Sequence, residues 1–523
     1  MASTPLAQRQ VSRGTGRWAL GALLALTLLT RVWILRPTEG EPDSALFSLG
    51  AWQWLRHGAG AARIYDRWFS AGYYALADLL LRLSHAHLAQ VSGVLDGVSL
   101  AAALATAGLI WALGQRLVSP AAAFWAAVLF LLSPGIWQLG DEPHPEGLGI
   151  ALILAALYCC LRAAGSTGRR EAGWWAVAVA AMTCALSVRG DAILLFPPFL
   201  AIWTLPALPM SAAGRWRAGG ISLAVLAAGS SLFVALRAAL LGQPVGRTQH
   251  HALRKIAGYL GHLRVIQQGL PMATALGPAV WLVAALGVVL AWRAMRRGHW
   301  WRWIGFALAW SLPGYVFWFA VRGNNVRHVA IYSLPWLWAG CQGWQLATCR
   351  RAARRRGVSP RFGGALTLAA ILALAVDAIA IPANSNLTLY PSGNVPASFA
   401  WLRRREAEMR GLAGRMLAQA GHGKPSCYLG ATTSPYVLLY LLEDAEQRGM
   451  AWRLAATGPV TRVAIRGAAP ITFHDVYSPT QFLAARATCP GARSLEYNAA
   501  GARQWFFGRE WRWLPFHRRW YGP

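Results

Sequence analysis

In "WQLGDEPHPEGLGIALIL", Trp137 to Leu154, four ionisable side chains, Asp141, Glu142, His144 and Glu146, crowd into one turn between long apolar segments. Pro143 and Pro145 bias the residues before them, Glu142 and His144, toward extended backbone, so that polar side chains project from the turn. In an extended run Glu142, His144 and Glu146 share one side. Carboxylate and imidazole are competent ligands for a divalent cation, which makes Glu142 and His144 a candidate pair; no other cofactor is implied. Pro145 reads as a first-turn proline, and Glu146 then sits where a carboxylate favours the helix dipole, a structural role.

A second acidic group, Glu41 and Asp43, stands in "LRPTEGEPDSALFSLGAWQWLRHG", where Pro37 and Pro42 end one helix and Asp43 or Ser44 can cap the next. Cations recur in two other turns. Arg189 lies in "SVRGDAILLFPP" with Asp191 two residues on, and Arg322, Arg327 and His328 bracket "GNN". The planar guanidinium fork suits a phosphate, though phospholipid headgroups would be met equally well. Asp191 either clamps Arg189 locally or leaves both side chains for substrate.

The elements that position these residues are membrane helices. The 523 residues are 56% hydrophobic and 13% charged, with 28 Trp, and their apolar residues gather in runs of helical length. A bilayer core about 30 Å thick needs roughly 20 such residues per helix. Hydropathy places spans near 18–35, 94–114, 120–138, 145–163, 172–188, 191–209, 219–241, 272–292, 302–321, 328–347 and 363–382, about eleven in all. The net charge of +30 falls largely in short loops, where the positive-inside rule accounts for it without nucleic acid.

Arginine-rich loops after Arg162, Arg215, Arg293 and Arg350, with the tail 1–17, define a cytoplasmic side. The Asp43, Asp141, Arg189 and Arg322 turns then share the opposite face. Arg31, within the first span, faces a partner or snorkels to the interface. The first segment lacks a small-residue cleavage site and reads as a retained helix. The loop 36–92 is amphipathic and is expected to hold helices lying on the membrane surface.

After Pro382 hydropathy falls, and 383–523 is expected to be a soluble extracytoplasmic α/β domain. "ASFAWLRRREAEMRGLAGRMLAQA" has a helical period; "SCYLGA", "RVAIRG" and "ITFHDVYS" read as strands. Cys427 and Cys489 can form a disulfide in an oxidising compartment. The chain's end, rich in Trp and Arg, suits a membrane interface.

With Arg31, Asp43, the aromatic loop helices, the Asp141–Glu142 turn, "SVRGDAILLFPP" and "VRHVAIYSLPWLW" in that order and sidedness, residues 15 to 382 resemble the GT-C glycosyltransferases. The likeness is greatest to the branch with protein O-mannosyltransferases and aminoarabinose transferases. It implies an all-α polytopic transmembrane domain, 18–382, and attack by an acceptor oxygen on sugar C1 with polyprenyl phosphate leaving. Asp43 would then be the general base, and Asp141 or Glu142 would position the sugar or assist. Glu41, His144, Arg189, Asp191, Arg322, Arg327 and His328 would bind substrate, the cations stabilising the leaving phosphate. The family often has Asp followed by Glu in its first loop, whereas here Ser44 follows Asp43.

The implied partners are a polyprenyl-phosphate sugar, a protein, lipid or glycan acceptor, and membrane lipids, in a bacterial cytoplasmic membrane. Two other classes stay open. A transporter or flippase predicts a polar path through the membrane, and a non-catalytic assembly subunit predicts no shared cavity.

Overall fold

The computed structural model describes residues 13–32, 42–59, 70–132, 143–208, 210–241, 284–285, 288–289, 292, 297–317, 330–348, 395–430, 434–457 and 460–475. Glu41, Asp141, Glu142, Arg322, Arg327, His328 and Cys489 lie outside them, as do the expected span 363–382 and nearly all of 272–292.

The helical part runs α1 (Arg13–Val32), α2 (Pro42–His57), α3 (Ala71–Leu83), α4 (Leu88–Leu117), α5 (Pro120–Leu132), α6 (Pro145–Ala164) and α7 (Arg169–Val188). A short α8 (Phe196–Ala201) is flanked by 3-10 turns Gly190–Leu195 and Ile202–Thr204; α9 (Ala212–Leu241) and α10 (Arg297–Val316) follow. A 3-10 turn, Ala330–Ser333, then leads into α11 (Leu334–Thr348).

Four helices among the described residues are long and apolar enough to cross a membrane: Leu88–Leu117, Pro145–Ala164, Arg169–Val188 and Ala212–Ala239. At 1.5 Å per residue, twenty residues reach about 30 Å, the depth of the hydrocarbon. They coincide with four of the spans expected from hydropathy. The chain is an integral membrane protein. Packing runs in chain order, α4 on α6, α6 on α7 and α7 on α9, around a core that includes Ile110, Leu154, Met182 and Trp338.

The expected helix 191–209 is instead a composite of 3-10 and α turns. Pro197 and Pro198 have no N–H to donate to an earlier carbonyl. A continuous helix through them would lose its bonds, and the prolines fall in the first turn of α8, where no donor is needed.

Beyond the membrane helices come α12 (Val395–Gly421), β1 (Ser426–Gly430), α13 (Ser434–Gln447), β2 (Trp452–Thr457), β3 (Val460–Ile465) and β4 (Ile471–Asp475). The sheet order is β1-β4-β3-β2. β1 lies parallel to β4, with Ser426 opposite Ile471, and the other pairs are antiparallel. Cys427 in β1 is disulfide-bonded.

α13 carries seven consecutive buried residues, Tyr436 to Leu442. A helix apolar all round needs cover on every side, and α12, the sheet and α2 supply it. Each such Leu or Val contributes about 2 kcal/mol by leaving water.

On α2, Ser44 and Ser48 are as completely buried as Ala45 and Leu49. Its neighbours are α3, α4 and α13, and it shares one hydrophobic core with the sheet. Small and hydroxyl residues flanking its apolar stripe let other elements close over more than one face. Thus α2 and α3 share one hydrophobic core with α12, α13 and the sheet.

On α13, burial raises the Glu443 carboxyl above its ordinary 4.5, against the opposing pull of Arg410, whose Nη1 lies 2.8 Å from Glu443 Oε2. A carboxyl held above its unfolded value binds its proton more tightly in the folded chain. The stability it adds is complete below about pH 4.5 and is lost as pH rises. Glu443→Gln is therefore expected to lessen the fall in unfolding temperature between about pH 4.5 and pH 7. An unaltered slope would contradict the assignment.

Candidate active site

The site draws on five segments: α2, α4, the start of α6, the turn after α7 and the Ala330–Ser333 turn. His144 occupies the N-cap of α6 with extended backbone, φ −127° and ψ 133°, as the following Pro145 requires. Its ring is fully buried. Nε2 shares a hydrogen bond with Ser44 Oγ at 3.3 Å, its backbone N–H donates to Ser99 Oγ at 3.5 Å, and Phe47 meets the ring edge-on.

Ser44 stands in the first turn of α2 directly after Asp43. This bond therefore brings the first turn of α2 against the start of α6.

One residue into α6, Glu146 is 4% exposed and faces the turn after α7. Its Oε1 lies 2.8 Å from Arg189 Nη1. Arg189 also forks onto Asp191, Nε donating to Oδ1 at 2.6 Å and Nη2 to Oδ2 at 2.5 Å. Burial works against the guanidinium charge, but Asp191 and Glu146 outweigh it and raise the Arg189 pKa.

Gly149, one turn into α6, makes room for the arginine. A Cβ there would meet Arg189 Cγ and Cδ at 3.1 Å. Its absence lets the guanidinium stem lie against the helix backbone.

Glu146, Arg189, Asp191 and Tyr332 line one small cleft together with Ile153 and Leu195. Tyr332 comes from the Ala330–Ser333 turn. That turn is fixed by α10: Trp310 Nε1 donates to Ile331 O at 2.8 Å and Ser311 Oγ to Tyr332 O at 2.5 Å.

Of the residues singled out in sequence, His144, Arg189 and Asp191 fall in this assembly, and Asp43 is placed by its helix position. The pairing of Arg189 with Asp191 holds, and Glu146 joins it. Sequence reasoning confined Glu146 to the helix dipole, although the alternation Glu142, His144, Glu146 pointed to a shared side. Tyr332 was inside a quoted segment but not singled out. Among the described residues no three His, Cys, Asp or Glu side chains are grouped to hold a metal ion.

Residues 75–239 match the family model of dolichyl-phosphate-mannose-protein mannosyltransferase. The matched segment contains His144, Glu146, Arg189 and Asp191. No curated protein matches the chain in sequence. Among solved structures, the apo form of ArnT from Cupriavidus metallidurans is 15% identical, with 82% of this chain and 85% of that chain covered at a TM-score of 0.49.

An oligosaccharyltransferase from Archaeoglobus fulgidus, tethered to an acceptor peptide, is 10% identical over 82% of this chain and 63% of its own, with a TM-score of 0.49. The S. cerevisiae protein O-mannosyltransferase Pmt1-Pmt2 complex bound to its sugar donor is 15% identical, at a TM-score of 0.35. That match covers 44% of this chain and only 34%, about a third, of the yeast chain.

Proposed function

We propose that the protein transfers a sugar from a polyprenyl-phosphate donor to a hydroxyl-bearing acceptor at the extracytoplasmic face of a bacterial cytoplasmic membrane, a reading supported by the match of residues 75–239 to the mannosyltransferase family model. The observation that supports this reading is the Ser44–His144 hydrogen bond, which ties the first turn of α2, where Asp43 stands, to the start of α6.

In the proposed reaction Asp43 accepts the proton of the acceptor hydroxyl as its oxygen bonds to sugar C1. The bond from C1 to the phosphate oxygen breaks, and the configuration at C1 inverts. Asp141 and Glu142 hold sugar hydroxyls, with Glu41 and His144 behind them. Arg322, Arg327 and His328 receive the developing charge on the leaving phosphate.

Arg189 is assigned differently from its first reading. Its charge is already met by Glu146 and Asp191, so its role is to hold those carboxylates at the cleft rather than to bind phosphate. The proposed step draws its base and its cations from side chains; a divalent cation between Glu142 and His144 would appear as loss of transfer on chelation. The transmembrane segment 18–382 carries the donor site in this scheme, and 383–523 lies outside the membrane beside a protein, lipid or glycan acceptor.

Purified protein in nanodiscs, given polyprenyl-phosphate sugars and a membrane extract, is expected to release polyprenyl phosphate only when acceptor is present. In sealed vesicles, labelled donor that crosses the bilayer intact, with no release, would favour a flippase and contradict transfer.

A further inference from the structure

Two helices meet at His144, and the same two helices meet again at Glu446. At the first point Ser44 of α2 and Ser99 of α4 both bond to His144. At the second, Arg56 in the last turn of α2 donates Nη2–H to Glu446 Oε1 at 3.4 Å. Leu88 N–H, at the start of α4, donates to Glu446 Oε2 at 3.0 Å. Glu446 belongs to neither helix; it comes from α13.

A helix start leaves its first N–H groups without partners, and a carboxylate there is favoured by the helix dipole. Here the acceptor comes from 358 residues away. Arg56 is 55% exposed, and such an ion pair alone contributes little. Its guanidinium is nevertheless held over the buried Trp52, with Cζ 4.6 Å from the ring centre. The consequence lies in the bridge: one carboxylate fixes two helices that both lead to His144.

We propose that Glu446 is a positioning residue for the candidate site, setting the spacing of α2 and α4 and thereby the place of the Asp43 turn against the His144 turn. From Arg56 to Ser44 the helix is a lever of about 18 Å, so a tilt of about 3° moves its far end by about 1 Å. Misplacement by about 1 Å can cost a catalytic step up to ~100-fold. The catalytic consequence rests on the glycosyltransferase reading; the coupling of the helices does not.

The test uses full-length protein in nanodiscs, with hydrogen exchange and transfer kinetics measured side by side. Glu446→Ala is expected to speed exchange along 44–57 as well as at 88–91. It is also expected to lower kcat about tenfold or more while the donor KM stays within about twofold. Glu446→Gln keeps an oxygen for Leu88 N–H and is expected to recover most of kcat. Arg56→Ala spares that cap and is expected to loosen α2 alone, which keeps the test sound should Glu446→Ala fold poorly.

Faster exchange confined to 88–91, or an unchanged kcat with both helices loosened, would overturn the proposal. If the wild type transfers no sugar, the glycosyltransferase reading fails by itself, and exchange along 44–57 alone decides whether Glu446 couples the helices.

Discussion

Arg189→Ala is expected to lower stability by about 3 kcal/mol and to reduce sugar transfer at least ~100-fold. The arginine side chain is 13% exposed, and it is the counter-ion for Glu146 and Asp191, which are 5% and 19% exposed. Removing it leaves two carboxylates near each other with their shared cation gone, and an uncompensated buried charge costs far more than an exposed pair contributes. The turn after α7 would shift and the cleft would open. Arg189→Lys keeps one charge but not the fork, so it should fall between wild type and alanine. Tryptophan fluorescence follows unfolding directly, given 28 Trp in the chain. A wild-type unfolding curve together with wild-type transfer would remove this cluster from the account.

The second large effect concerns Gly314 on α10. A Cβ at this position would fall inside the Tyr332 ring, with three ring atoms as its nearest neighbours. Ala in place of a helical Gly ordinarily stabilises by about 1 kcal/mol. Here overpacking costs about 1–3 kcal/mol and should win, because Tyr332 is 2% exposed and its carbonyl is tied to Ser311. Gly314→Ala is therefore expected to destabilise by about 1–2 kcal/mol and to lower transfer about tenfold by displacing one side of the cleft. Gly305→Ala on the same helix is the control: nothing lies within 4 Å of its Cβ, so it should be neutral or stabilising. Equal behaviour of the two variants would show that the Tyr332 ring is not held as described.

Much of the fold was legible because the bilayer enforces simple rules. Leu88–Leu117 and Ala212–Ala239 are apolar over more than the required length, and no soluble fold competes for such segments. Where a segment met two demands, the reading failed. Residues 190–204 are apolar enough for a span, but paired prolines break the hydrogen-bond ladder. α2 has the periodicity of a surface helix, and α13 packs against it, a contact between residues nearly 400 positions apart that no local pattern encodes.

α13 and β2 were not anticipated either. In "SPYVLLYLLEDAEQ" the run Tyr436 to Leu442 is apolar on every face, because its partners come from the first loop as well as from the sheet. In the site, charge and spacing marked Asp43, His144, Arg189 and Asp191. Glu146 was underread because its place in the first turn of α6 already explained it. A residue that satisfies a local rule can still have its strongest partner far along the chain.

The central claim is sugar transfer with Asp43 as base. It is tested most directly by measuring label transfer from polyprenyl-phosphate sugars to membrane acceptors by wild type and Asp43→Asn in parallel. The account predicts transfer by the wild type and a loss of about 100-fold or more in a variant with an unchanged unfolding temperature. Wild-type rates in Asp43→Asn would contradict the assignment of the base, and no transfer by the wild type from any donor would contradict the enzyme.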